Sequence, residues 1–164
     1  MTKDKGRTSA IALGSNLGDS RAILEEAISI LAATPGITLI AISSWYQTLA
    51  VGPPQPDYIN GCALVQVTFS PQVLLETLLA IEAQKGRIRT ERWGARSLDL
   101  DLLLYDDLIL DTPTLTIPHP RMRERAFVLV PLVEIAPNWI DPVTGKAIAE
   151  LVKAVDCSEV KKMM

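Results

Sequence analysis

Residues 92–107 read RWGARSLDLDLLLYDD, and within them Leu98-Asp99-Leu100-Asp101-Leu102 sets two carboxylates into an otherwise apolar run. Successive side chains of a strand point to opposite faces, so a strand over Leu98–Leu104 puts Asp99 and Asp101 on one face and Leu98, Leu100, Leu102 and Leu104 on the other. Two like charges on one face repel. Either water relieves that repulsion, or a positive group sits between them.

Upstream of this strand, Ser70-Pro71 offers an N-cap followed by proline at the first helical position. Leu74, Leu78 and Ile81 then continue one helical face, and Gly86 is a C-terminal stop. Before that helix, Gly61–Phe69 alternates, with Ala63, Val65, Val67 and Phe69 on one face of a strand. Residues 48–57, with three prolines and one glycine, suit an irregular surface loop.

Nearer the N-terminus, Ser9–Leu13 reads as a strand entering the turn Gly14–Gly18, GSNLG. Asp19 can cap a helix whose apolar residues Ile23, Leu24, Ala27, Ile28 and Leu31 recur at helical spacing until Pro35-Gly36. Ile37–Ile42 is a second strand, so Leu98–Leu104 completes the order β-α-β-β-α-β. That order is the split βαβ, or ferredoxin-like, α+β arrangement, in which two helices cover one face of an antiparallel sheet. Tyr105–Asp107 reads as a hairpin into a short edge strand at Leu108–Leu110. Beyond Pro113, the prolines at 118, 120, 131, 137 and 142 break the chain into short strands and loops, before a final amphipathic helix carrying Ile148, Leu151, Val152 and Val155.

At 164 residues, with 48% apolar and 21% charged residues, the chain is expected to form one globular domain over 1–164. Its net charge of −3 exerts no global pull on nucleic acid or anionic membrane. Cys62 and Cys157 are far apart and lack zinc or redox spacing. No segment approaches the roughly 18 apolar residues of a membrane span, and the N-terminus has no signal-like apolar core. A soluble cytoplasmic protein is expected.

Charge is nevertheless unevenly placed around the opening stretch. Residues 85–96 carry Lys85, Arg87, Arg89, Arg92 and Arg96 against Glu91, a net +4, whereas residues 97–111 carry five aspartates and no basic residue, a net −5. An isolated Asp-x-Asp more often marks a solvated strand face, and an arginine loop alone more often pairs with acidic neighbours. Together they fit metal-bound polyphosphate, because Mg²⁺ is held by one or two carboxylates plus phosphates, and arginine suits bidentate phosphate recognition. No GxxxxGK[ST] is present, so the P-loop route is closed.

His119 is the single histidine, held between Pro118 and Pro120. It is structural or, with a pKa near neutrality, a phosphate donor. Trp93 is either a rim anchor or part of a lid, and Tyr58, Asn60 and Phe127 are packing or turn residues unless an aromatic-lined pocket collects them.

The segments ALGSNLGD (12–19), SSWYQT (43–48), QPDYIN (55–60), IEAQKGRIR (81–89), ERWGARSLDLDLLLY (91–105) and IPHPRMRERAFVLVPLVEIAP (117–137) resemble the 6-hydroxymethyl-7,8-dihydropterin pyrophosphokinases of folate biosynthesis. The resemblance implies transfer of pyrophosphate from ATP to the hydroxymethyl group of the pterin, giving the pterin diphosphate and AMP. It implies that Asp99 and Asp101 bind two Mg²⁺ ions with ATP, and that Arg87 and Arg96 join them as catalytic residues. Arg87, Arg89, Arg92, Trp93, Arg96, His119 and Arg125 would bind ATP, with Arg89 and Trp93 on a mobile loop. The pterin would stack between Tyr58 and Phe127, with Asn60 and the backbone near Thr48 and Val51 reading its polar edge. Glu82 matches a family position near the site without an assigned role.

Two rival classes share parts of this pattern. A nucleotidyltransferase joins a Gly-Ser turn to a carboxylate pair, but usually over a short interval, whereas Ser15 and Asp99 are most of a domain apart. An RNA-binding module of the same fold needs base-stacking aromatics on its central strands, where the two strands Gly61–Phe69 and Leu98–Leu104 offer almost none.

Overall fold

Alternation and helical spacing in the sequence become a six-stranded antiparallel sheet with helices on both faces, in a computed structural model that describes residues 6–16, 19–48, 57–85 and 98–163. The elements are β1 (Arg7–Ser15), α1 (Ser20–Ala33), β2 (Ile37–Ile42), β3 (Tyr46–Thr48), β4 (Tyr58–Val67), α2 (Pro71–Gln84), β5 (Asp99–Tyr105), β6 (Leu110–Asp111), β7 (Thr116–Ile117), α3 (Ala126–Ile135), α4 (Ile148–Leu151) and β8 (Val160–Lys162). Strand order is β5-β1-β4-β3-β8, and β2 pairs with the other end of β4's outer edge. The β5-β1-β4-β2 core is the ferredoxin-like arrangement.

Both expected N-caps form. The Asp19 carboxylate accepts the Ala22 N–H at 3.3 Å, and the Ser70 hydroxyl accepts the Val73 N–H at 3.3 Å with Pro71 behind it. Helix α1 ends at Thr34, and Gly36 takes φ +89°, where a Cβ would come within 2.7 Å of Phe69. The Gly86 stop expected for α2 lies outside the described residues; the helix ends at Gln84, with Lys85 capping back to Ile81.

Helices α1 and α2 cover one face through Leu24, Ala27, Leu31, Leu74 and Leu78, which pack on Ile11, Leu13, Val65, Val67, Leu100 and Leu102. The other face is not left open. Ala10, Ala12, Cys62, Leu64, Leu103 and Leu104 pack there against Val128, Leu129 and Leu132 of α3, and Ile148 and Leu151 complete that layer. The two helices expected on one face are therefore α1 and α2, and α3 and α4 add a layer on the other. Pro131 lies inside α3 and withholds one intrahelical donor, but Val128, Leu129 and Leu132 are buried around it, so packing outweighs the helix-breaking tendency.

Several boundaries also differ from the sequence reading. Tyr58, Ile59 and Asn60 belong to β4 and Thr48 closes β3, because Gly14 and Ser15 pair with them from one side and Tyr46–Thr48 from the other. Thr68 and Phe69 fall outside β4. The strand after Asp107 does not fold back on β5; Leu110–Asp111 pairs instead with Thr116–Ile117 in a separate two-stranded sheet. The final helix is a four-residue α-helix continued by a 3₁₀ turn over Val152–Ala154, and Val155 lies past its end. Among the described residues no helix is long and apolar enough to cross a membrane.

Candidate active site

Strand β5 lies at the sheet edge, antiparallel to β1, with Gly14 opposite Asp99, Leu13 opposite Leu100 and Ala12 opposite Asp101. The alternation expected for Leu98–Leu102 is realised: Leu98, Leu100 and Leu102 enter the α1/α2 core, while Asp99 and Asp101 are half-buried on the opposite face. Leu104 departs from it. Pairing shifts between Ile11, opposite Leu102, and Ala10, opposite Leu104, so Leu103 is an extra residue on β5. This bulge sends both Leu103 and Leu104 into the α3 core.

Residues directly opposite one another in an antiparallel sheet share a face. Asp99, Gly14, Asn60 and Tyr46 therefore form one row across β5, β1, β4 and β3, and Asp101, Ala12 and Cys62 form the next. Tyr58 and its partner Thr48 lie two residues beyond Asn60 and Tyr46, on the same face. Helix α3 packs on this face too, with the Val128 carbonyl 3.6 Å from the Cys62 Sγ. Its first turn brings Phe127 and Arg125 there, and the Arg125 guanidinium sits 5.5 Å from the centre of the Phe127 ring.

His119 is tied to the same strand, its backbone N–H donating to the carbonyl of the bulged Leu103 at 2.9 Å. Its Nδ1 accepts the Arg121 N–H at 3.1 Å, so in the neutral ring the proton is on Nε2. Burial lowers the imidazole pKa below its ordinary value; Asp101 pulls it upward, and Arg125 and Arg121 add to the lowering. Asp101, His119 and Arg125 thus lie within electrostatic reach of one another.

Two polar atoms on this face have no hydrogen-bond partner among the described residues although both are buried: Thr48 Oγ1 and Asn60 Oδ1. A buried acceptor left unpaired costs about 1–3 kcal/mol, which a ligand donor can recover. Among the described residues no cluster of three or more His, Cys, Asp or Glu could cage a metal. Asp99 and Asp101, two carboxylates on one face, fall short of such a cage, whereas Mg²⁺ is commonly held by one or two carboxylates together with other oxygen ligands.

One further carboxylate is built into the site. Glu82, buried on α2, accepts the Leu100 N–H at 2.7 Å, at the residue between Asp99 and Asp101. A sequence signal for it exists, since Leu74, Leu78 and Glu82 fall four residues apart on one buried stripe. The expected site residues Asp99, Asp101, His119, Arg125, Thr48, Tyr58, Asn60 and Phe127 are thus all on or beside one sheet face. Val51, Arg87, Arg89, Arg92, Trp93 and Arg96 lie outside the described residues.

Residues 10–137 match the family model described as 7,8-dihydro-6-hydroxymethylpterin-pyrophosphokinase. The chain belongs to this pyrophosphokinase family. It is 55% identical over 150 residues to the 2-amino-4-hydroxy-6-hydroxymethyldihydropteridine pyrophosphokinase of Synechocystis, covering 92% of this chain and 77% of that one. The Haemophilus influenzae enzyme of the same name is 44% identical over 147 residues, 89% of this chain and 91% of its own. Among solved structures, a Plasmodium falciparum HPPK-DHPS chain superposes with a TM-score of 0.73 over 93% of this chain; at 14% identity it bears on the fold alone. This chain spans 43% of that longer one. As a member of the family, the protein is a pyrophosphokinase of folate biosynthesis that transfers pyrophosphate to a hydroxymethyldihydropterin.

Proposed function

We propose that the face carrying Asp99, Asp101, Asn60 and the first turn of α3 performs this transfer, moving pyrophosphate from ATP to 6-hydroxymethyl-7,8-dihydropterin and releasing AMP. The observation that supports the assignment most is the row Asp99–Gly14–Asn60, which sets a carboxylate and an unpartnered amide oxygen on one face with a single strand between them. One end can hold a charged polyphosphate. The other can read an organic ring.

Asp99 and Asp101 offer hard oxygen donors on one face, and their number fits Mg²⁺ bound jointly with ATP phosphates. When bound, two such ions would neutralise phosphate charge and ease deprotonation of the pterin hydroxyl. The two carboxylates are held apart from the core by Leu98, Leu100 and Leu102, and Glu82 fixes the backbone between them. Arg125 and the Nε2–H of His119, within electrostatic reach of one another and, at His119, of Asp101, would donate to phosphate oxygens. By the family resemblance, Arg87, Arg92 and Arg96 would add further phosphate contacts and stabilise the AMP leaving group, and Arg89 and Trp93 would also bind ATP; all five lie outside the described residues.

Tyr58 and Phe127 hold the pterin ring between them, and Asn60 Oδ1 accepts an N–H from its polar edge, with the Thr48 hydroxyl on the same face; the resemblance adds the backbone of Val51, which lies outside the described residues. This places the hydroxymethyl group toward Asp99 for in-line attack on the β-phosphorus of ATP. The chemistry needs no macromolecular partner, and a monomer in the cytoplasm is the expected form.

Product analysis tests the assignment. Equimolar AMP and pterin diphosphate, formed from Mg²⁺, ATP and the hydroxymethylpterin, support it. Release of inorganic pyrophosphate with nucleotide left on the acceptor indicates nucleotidyl transfer and overturns it.

A further inference from the structure

Gly14 is the penultimate residue of the central strand β1, paired on both sides, where glycine weakens pairing and contributes no side chain to pack. Its backbone is outside the left-handed region, so conformation does not require glycine there. Space does. A Cβ on Gly14 would lie 2.8 Å from Asn60 Nδ2, closer than a side chain tolerates, while the next atoms, Ile59 O at 3.8 Å and Asn60 Cγ at 4.0 Å, are at ordinary contact. The single obstacle to alanine is therefore the end of the Asn60 side chain.

From this we infer that Gly14 is a positioning residue for pterin: its missing side chain lets the Asn60 amide lie flat across β1, with Oδ1 turned to the substrate. The inference rests on the reading of Asn60 as a pterin contact. Fold and function pull in opposite directions at this position. Alanine lowers the conformational freedom of the unfolded chain at a compatible backbone site, so it favours the fold. It also displaces the amide, so it disfavours substrate.

The test compares Gly14→Ala, Asn60→Ala and the double variant by steady-state kinetics with Mg²⁺, ATP and 6-hydroxymethyl-7,8-dihydropterin, alongside thermal unfolding. Gly14→Ala is expected to melt no lower than the parent and to raise the pterin KM by roughly five- to tenfold, the worth of about one hydrogen bond. The ATP KM should stay within about twofold. In the Asn60→Ala background, where the amide is gone, adding Gly14→Ala should change the pterin KM by less than about twofold, because the two changes act on one interaction.

Each contrary result has its own signature. If Asn60→Ala leaves the pterin KM unchanged, the reading of Asn60 falls and the inference falls with it. If Asn60→Ala raises that KM but Gly14→Ala does not, the reading stands and the inference alone is overturned. Additive effects in the double variant, or a Gly14→Ala protein that melts lower or fails to fold, also overturn it, since the glycine then acts through something other than the amide.

Discussion

The carboxylate of Glu82 accepts the backbone N–H of Leu100 at 2.7 Å, joining α2 to the edge strand between its two aspartates. Among the described residues β5 pairs with β1 alone, and the Leu100 N–H is taken by Glu82 rather than by β1, so it would be buried without that partner if the carboxylate were removed. Glu82→Ala is expected to cost about 1–3 kcal/mol, read as a lower urea midpoint at unchanged slope. Glu82→Gln keeps an acceptor and should recover most of that loss. Equal destabilisation by both variants would show that the charge, not the hydrogen bond, matters.

Asp99 and Asp101 are half-buried and are not part of either apolar core. Asp99→Ala and Asp101→Ala should each lower kcat by orders of magnitude while leaving the thermal midpoint within a few degrees of the parent. Near-normal turnover in both variants would remove the cation site from this face.

Tyr58 and Phe127 reach the site from different elements, one from β4 and one from the first turn of α3. Replacing either by alanine removes a stacking surface for a flat ring and leaves the carboxylates in place. Calorimetric titration is expected to show pterin affinity falling more than that of MgATP; equal losses for both ligands would contradict stacking.

Asp141 is fully buried and receives Arg123, the Val143 N–H at 3.0 Å and the Thr144 hydroxyl at 2.9 Å. Burial alone would raise its pKa, but the guanidinium and the two other donors outweigh burial and hold it below the ordinary aspartate value. Between the folded and unfolded pKa values the unfolded chain binds more protons, so stability rises with pH across that window. The contribution is complete above the unfolded value near about 3.9 and is lost as pH falls through the folded one. Asp141→Asn should therefore flatten the acid limb of the stability curve, and an unchanged limb would contradict the assignment.

Much of this protein is legible in its sequence because the signals are local. Leu98–Leu102 declares its two faces by alternation alone, Asp19 and Ser70 announce helix starts that do form, and the order of strands and helices fixes the ferredoxin-like core. Family motifs also point to the residues that gather on one sheet face.

What the sequence could not decide depends on contacts between distant segments. Leu104 follows the alternation of its strand on paper, yet a one-residue shift against β1 turns it to the other face. Pro131 reads as a break, yet the face left uncovered by α1 and α2 makes a helix through it worthwhile. Tyr58–Asn60 fall between the expected loop and the expected strand, and join the strand because Gly14, Ser15 and Tyr46–Thr48 pair with this stretch from both sides. Sequence set the local preferences and the chemistry available. Only tertiary pairing set the register that puts Asp99, Gly14 and Asn60 in one row, because register is a relation between strands far apart in the chain.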